Sequence, residues 1–325
     1  MGQRSISSEC IVQEALSLWA EIEYIDREEN LFYVTLNGQR HLFKNVDCGL
    51  NTSLGKKIAL DKRLSQIILE KYKVPFPKSY YLKQNKPISE ETWIDIENNF
   101  PVVVKPLDRG QGNGITTNIS NKNDLLAAMD IAYGFSKQII VQKHVQGDDF
   151  RITVVGDKIS AVTQRVAPYI IGDGMHSIQE RIEEENKNPL RGEKKHTMPM
   201  NKITIDNELS KTIASKWWTL ESIPAKDERV VLKGTANISA GGEAWDQTDA
   251  IHPSIKELCK DITKYMWLKL VGIDIMTTDI TKPLEETQGV CIEVNDTPGI
   301  WIHHYPAKGQ SRNVAREIID LLFKI

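Results

Sequence analysis

Residues 290–298 read V-C-I-E-V-N-D-T-P, and this stretch limits the fold more than any other. Val290, Ile292 and Val294 alternate with Cys291, Glu293 and Asn295, so a strand here sends the second set to one face. A short apolar strand that aims a carboxylate and an amide oxygen the same way makes a poor core strand. It makes a good ligand set for a hard cation, because Mg²⁺ takes oxygen donors and shares its shell with substrate phosphates. Asp296, Pro298 and Gly299 then stop the strand. A second strand-like run, Val271-Gly272-Ile273-Asp274-Ile275-Met276, has a carboxylate at its middle, and residues 279–289 give the chain room to turn back. If the two strands pair, Asp274 lies beside Glu293. On these strands alone, a pair of solvent-facing acids on an edge hairpin has equal weight.

The chain has 325 residues, enough at ~150 per domain for two domains or one elaborate one. Apolar residues make up 40% and charged ones 26%, an ordinary balance from which a sizeable core can be built. A formal net charge of −3 argues against a nucleic-acid or membrane-surface partner held by bulk electrostatics. The cysteines (Cys10, Cys48, Cys259, Cys291) are scattered without a C-x-x-C pair, which fits a reducing cytoplasm. No apolar run approaches the ~20 residues of a membrane helix. Ile6 stands where a myristoylation signal needs Ser or Thr, and the start lacks the apolar core of a secretory signal. A cytoplasmic protein is the expectation.

Residues 1–57 read as a small α/β piece, with a helix over 9–21 and a hairpin across Asn37-Gly38. Helices are expected over 60–72, 89–98, 123–133, 177–186, 209–217, 254–268 and 314–323. The 177–186 helix opens on the capping box Ser177-x-x-Glu180. Strands are expected over 101–106, 115–119, 138–142, 150–155, 158–166 and 230–233, and residues 167–229 read as a polar insertion. Between the first two of these strands runs Asp108-Arg109-Gly110-Gln111-Gly112-Asn113-Gly114. Glycine at every second position lets backbone N–H groups approach an anion unobstructed. No Gly-Lys-Ser/Thr follows and the loop leads into a strand, so it is neither a Walker A loop nor a dinucleotide fingerprint. A mobile surface hairpin is the usual reading of such a loop alone. Lys105 shifts the balance toward a flap over triphosphate, because a lysine ending a buried apolar strand needs a charged partner.

Lys105-Pro106 with its glycine flap, Asp274, and Glu293-x-Asn295 before Pro298-Gly299 together resemble an ATP-grasp carboxylate–amine ligase. The motif Arg165-Val166-x-Pro168 with Gly172-Asp173-Gly174 sharpens the match, as do Pro189-x-Arg191-Gly192, Ala236-Asn237-x-Ser239-x-Gly241-Gly242 and Asp249-x-x-His252-Pro253. From about residue 58 onward they resemble the ATP-grasp domain of cyanophycin synthetase, with glutathione-forming ligases more distant. The resemblance implies an α/β (α+β) ATP-grasp fold, two α+β subdomains gripping ATP behind a truncated amino-terminal piece. The implied units are residues 1–57, a lid over 58–150 and a catalytic unit over 151–325 with the 167–229 insertion.

It also implies roles. Lys62 and Lys105 touch ATP phosphates, and the flap glycines Gly110, Gly112 and Gly114 cover them. Gln142, Lys143 and Val145 hold adenine at the hinge, with Gln142 standing where relatives usually carry Glu, and Asp149 holds the ribose. Asp274, Glu293 and Asn295 bind two Mg²⁺ (or Mn²⁺) that bridge the β- and γ-phosphates. Lys233, Asn237, Gly241 and Gly242 supply donors to an oxyanion, and Arg165 and Arg312 take substrate carboxylates. The implied reaction forms an acyl phosphate and then an amide, joining an amino acid or short peptide to an amino acid in a homodimer or homotetramer. Without the Mur-ligase-like domain of cyanophycin synthetase, a single-step ligase is expected. A modifier of a protein or ribosomal peptide, a glutathione-synthetase-like γ-glutamyl ligase and a non-catalytic nucleotide-binding module are the alternatives. His303 and His304, adjacent and pointing apart on a strand, are expected to pack or touch substrate. His176 and His196 read as loop residues, and Trp217 and Trp218 as packing or subunit contacts.

Overall fold

A computed structural model describes residues 5–107, 114–193 and 198–325. The first unit is α1 (Ile6–Ser17) followed by β1 (Glu21–Asp26), β2 (Leu31–Leu36) and β3 (Gln39–Lys44), an antiparallel sheet in that order. Ser5 caps α1 by accepting from the Ser8 N–H at 3.2 Å. The β2–β3 turn is Asn37-Gly38, with φ of 51° and 73°, the left-handed pair that a two-residue hairpin requires. The expected helix over 9–21 ends earlier, at Ser17, because the chain turns through left-handed Trp19 into β1. Ile11, Phe32 and Phe43 are sealed against Val314, Ile318 and Phe323 near the carboxyl terminus.

Next come α2 (Ser53–Leu60) and α3 (Lys62–Lys71). The helix expected over 60–72 is α3, which starts at Lys62 because the Asp61 carboxylate caps it by accepting from Arg63 N–H at 2.9 Å and Leu64 N–H at 3.0 Å, and α2 before it was not expected. A sheet follows, built from β4 (Ser79–Lys83), β5 (Val102–Pro106), β6 (Thr116–Ile119) and β7 (Gln138–Lys143), with α4 (Glu90–Asn98) and α5 (Lys122–Tyr133). Its order is β4-β7-β5-β6, antiparallel throughout, over a core of Ile96, Val102, Val104, Leu125, Ile139 and Val141.

The chain then forms β8 (Asp148–Val155) and β9 (Lys158–Val166) before the insertion. That insertion holds β10 (Tyr169–Ile171), α6 (Ile178–Glu185), β11 (Arg191–Gly192), β12 (Met200–Asn201), α7 (Asn207–Ala214) and β13 (Arg229–Val231). It is a small unit with its own core, Ile170, Ile178, Ile182, Leu209 and Ile213, and the capping box of Ser177 and Glu180 is formed. Trp218 packs there, whereas Trp217 is 96% exposed. After it come β14 (Glu243–Asp246), α8 (Pro253–Tyr265), β15 (Leu270–Thr277), α9 (Leu284–Thr287), β16 (Val290–Asn295), α10 (Trp301–His304) and α11 (Val314–Phe323).

These strands complete a sheet of order β14-β9-β8-β15-β16. One face is covered by α8 and α3, with Leu69 of α3 buried beside Ile152, Cys259 and Ile273, so α3 shares the core of this sheet. The other face meets α1, α10 and α11. Among the described residues no helix is long and apolar enough to cross a membrane.

Candidate active site

A cavity of about 820 Å³ opens between the sheets, walled by Val103, Lys105 and Thr117 on one side and by Asp149, Arg165, Asp274 and Glu293 on the other. Register explains the acidic wall. In the β15–β16 ladder Asp274 stands opposite Glu293 and Gly272 opposite Asn295, so the carboxylates meet as the alternation predicts. A bulge then puts Ile275 opposite Cys291. Cys291 and Val294 therefore enter the core and Ile292 faces the cleft, the reverse of the expected placement for Cys291 and Ile292.

On its other side β15 pairs with β8, with Asp274 opposite Arg151. Arg151 donates to both oxygens of Asp274, at 2.5 and 3.2 Å, and Arg165 adds a third bond at 2.9 Å while also holding Asp149 at 2.6 Å. Gly272 makes room for this, since a Cβ there would lie 3.0 Å from Arg151 Cδ. Burial pushes Asp274 up, but Arg151 and Arg165 outweigh it and hold the carboxyl at about 2. Burial raises Asp149, against the pull of Arg165. The sequence reading missed Arg151, whose place depends on register alone.

Lys62 opens α3 and brings its Nζ to 3.6 Å from Glu293 Oε1. Lys105 is buried, and its Nζ donates to Gln142 Oε1 at 2.9 Å. Its direct partner is thus a neutral amide, where a charged one was expected. Burial, and then the neighbouring Lys62, lower its pKa to about 8. Gln142 is fixed in turn by donating to Ser79 Oγ at 2.8 Å. Lys143, His144, Val145, Gln146 and Gly147 continue the wall, and His144 Nδ1 is buried without a hydrogen-bond partner among the described residues. Gly114 has φ of 73° and abuts Phe135, and the cavity is walled beside it by Ile115. Gly110, Gly112 and His196 lie outside the described residues.

The expected oxyanion loop is only partly at the cleft. Asn237 lines it, with Gly234, Thr235 and Ala236 before it. Lys233 is buried and bonded to Asp206 Oδ2 at 2.5 Å, away from the lining, because the capping carboxylate of α7 claims it. Gly241 and Gly242 also lie off the lining. Gly241 turns back at φ of 100° against Ile203, its carbonyl accepting from Arg191 at 2.8 Å, and Gly242 packs under Val166. Arg312 lies off the lining too, its guanidinium bound to Asp246 at 2.8 Å and Asp249 at 2.6 Å. A carboxylate-binding role for it is corrected by these pairs. His303 is on a helical turn, where a strand was expected. It is buried between Thr153 Oγ1 and Thr163 Oγ1, each 2.7 Å from a ring nitrogen.

Among the described residues no group of three His, Cys, Asp or Glu side chains is set to hold a metal. The donor set still fits a hard cation that arrives with phosphates. Asp274 stays ionised and Glu293 faces it across the ladder, while Asn295, opposite Gly272, lies off the cavity wall.

Two antiparallel sheets flanking a cleft, with Lys105 on the smaller sheet and Asp274 and Glu293 on the larger one beside Lys62 of α3, make an ATP-grasp fold. The D-ala D-ala ligase C-terminus family matches residues 68–216 of the chain. Cyanophycin synthetase of Synechocystis sp. is 39% identical over 272 residues, 83% of this chain and 31% of that protein. The glutathione biosynthesis bifunctional protein GshAB of Pasteurella multocida is 29% identical over 325 residues, 98% of this chain and 42% of that one. The crystal structure of a bifunctional glutathione synthetase from Pasteurella multocida superposes with a TM-score of 0.76 at 28% identity, covering 99% of this chain and 43% of that chain. The chain therefore spans less than half the length of these relatives.

Proposed function

We propose that this chain is an ADP-forming carboxylate–amine ligase that uses ATP with Mg²⁺ to join an amino acid or short peptide to an amino acid. The observation that carries the reading is the convergence of Lys62, Lys105, Asp274 and Glu293, far apart in sequence, on one cleft. Lys62 and Lys105 bind and orient the nucleotide's phosphates, and the hinge at residues 142–147 takes the base. Asp274, Glu293 and Asn295 hold magnesium, which when bound neutralises phosphate charge. A substrate carboxylate attacks the γ-phosphorus and ADP leaves; the acyl phosphate formed then loses phosphate to an amine, whose proton passes to solvent or a base. In this reading Asn237, which lines the cleft, and the backbone beside it donate to the oxyanion.

In this reading the sheet of β4, β5, β6 and β7 acts as the lid, and the larger sheet, with α3 packed on it, as the catalytic unit, which narrows the expected 58–150 lid. All four cysteines are free and buried, which suits a reducing cytoplasm, and self-association to a dimer or tetramer is read out by light scattering. The deciding experiment incubates purified protein with Mg-ATP and an amino-acid and dipeptide library. Phosphate release confined to a matched acid–amine pair, with the amide found by mass spectrometry, supports the proposal. Tight ATP binding with no turnover on any free carboxylate counts against it, and a mass shift on a co-purifying protein points instead to a protein modifier.

A further inference from the structure

The cleft's arginines differ in one respect. Arg165, the residue expected to take a substrate carboxylate, has its guanidinium committed to Asp149 and Asp274 at 2.6 and 2.9 Å. Arg229, at the start of β13, lines the same cavity and is exposed. Among the described residues the Arg229 side chain has no hydrogen bond or ion pair. Its guanidinium sits instead 4.2 Å from the Tyr169 ring centroid and 5.9 Å from that of Trp245. Cation–π contact at these distances orients a guanidinium while leaving its N–H edge unspent.

The two rings beneath it are themselves fixed. They meet edge to face, 6.4 Å apart at 87°. The Trp245 indole N–H donates to Glu243 Oε2 at 2.9 Å, and the Tyr169 hydroxyl donates to the same oxygen at 3.2 Å. The other oxygen of Glu243 accepts from buried Arg191 at 3.2 Å. Glu243 thus spends its oxygens on the two rings and on Arg191, and none on Arg229. Lys308, which has no ion pair among the described residues, adds a second cation 4.7 Å from the Trp245 ring.

Resting on the ligase reading, we propose that Arg229 on its Tyr169–Trp245 platform is a subsite for a substrate carboxylate that is not consumed in the reaction. The substrate class is then an acidic amino acid or a peptide carrying an acidic residue. A planar guanidinium held by rings accepts a carboxylate in two parallel hydrogen bonds, and paying little to order itself it converts them into affinity.

The test titrates the full chain, in the presence of Mg-ADP, with glutamate against glutamine, aspartate against asparagine and Gly-Glu against Gly-Gln. Within at least one pair the acid binds tighter, and Arg229→Gln weakens the acid by ~10- to 150-fold while sparing the amide, the range expected for hydrogen bonds to a charged group. Arg229→Glu reverses the preference toward lysine over glutamine. An acid no tighter than its amide in the wild type, or an acid preference intact in Arg229→Gln, overturns the subsite. The thermal shift with Mg-ADP checks that each variant is folded. Phosphate release is followed with the same ligands. An Arg229-dependent acid preference without turnover for any pair sinks the ligase reading and leaves the subsite standing.

Discussion

Lys105 is an ammonium almost cut off from water, and burial brings its pKa to about 8 from an ordinary 10.5. Phosphates arriving beside it draw the proton back. Nucleotide binding is therefore expected to take up a proton near pH 9 and none near pH 6.5, measured by calorimetry in buffers of different ionisation enthalpy. In the ligand-free fold the sign runs the other way. From about pH 8 to 10.5 the unfolded chain holds the proton that the fold has shed, so this lysine's contribution to stability rises with pH across that window. Glu293→Ala is expected to lower turnover by about 10²-fold or more through lost metal and phosphate alignment, measured as phosphate release. Arg312→Ala acts elsewhere. It strands the Asp246 carboxylate, whose side chain is 8% exposed, and is expected to cost about 1–3 kcal/mol in chemical denaturation with substrate KM unchanged. Lys105, Asp274 and Glu293 were legible in the sequence because each interrupts an apolar strand. Arg151 and Arg229 were not, since an arginine on an ordinary strand carries no sign of what the neighbouring strand will set against it. Lys233 misled for the same reason: its partner Asp206 is fixed by the helix that Asp206 caps.

Elements were legible in kind and misread at their joints. The hairpin at Asn37-Gly38 and the capping box at Ser177 are written in local chemistry, and both formed. The start of α3 after Asp61 and the bulge opposite Asp274 depend on capping and pairing that periodicity does not carry. The helical turn α10 depends on His303, whose ring nitrogens bond Thr153 of β8 and Thr163 of β9. His303→Ala leaves two buried hydroxyls unpaired beside a cavity and is expected to cost about 2–5 kcal/mol by denaturant titration. Burial lowers the His303 pKa to about 3, so the fold holds it neutral where the unfolded chain would bind a proton. Stability should therefore fall as pH drops from about 6.5 toward 3, and His303→Gln should flatten that slope. Gly147 lies between β7 and β8 at φ of 146°, where a Cβ would lie 2.6 Å from the Thr277 carbonyl carbon. Gly147→Ala is expected to lower the Tm by several degrees, roughly 2–4 °C per kcal/mol of strain, and to impair lid closure, measured as weaker nucleotide binding.

Across the molecule, the amino-terminal unit is tied to the site by its core and by Ser7 of α1, whose hydroxyl accepts from the Ile300 N–H at 3.1 Å just past β16. That long-range contact, like the shared core with α11, has no trace in local sequence. Mg-nucleotide at about a hundred times its Kd is expected to add about 2.7 kcal/mol of stability, seen as a rise in Tm that chelator removes. Magnesium alone should give no such rise, because Arg151 and Arg165 already occupy the Asp274 oxygens. The acidic wall thus comes with its own counterions built in, and an unaccompanied divalent ion meets a competitor tethered to the protein. On the proposed reading, entry would be reserved for cation and polyphosphate travelling together, and swings in free magnesium would leave the unliganded protein undisturbed.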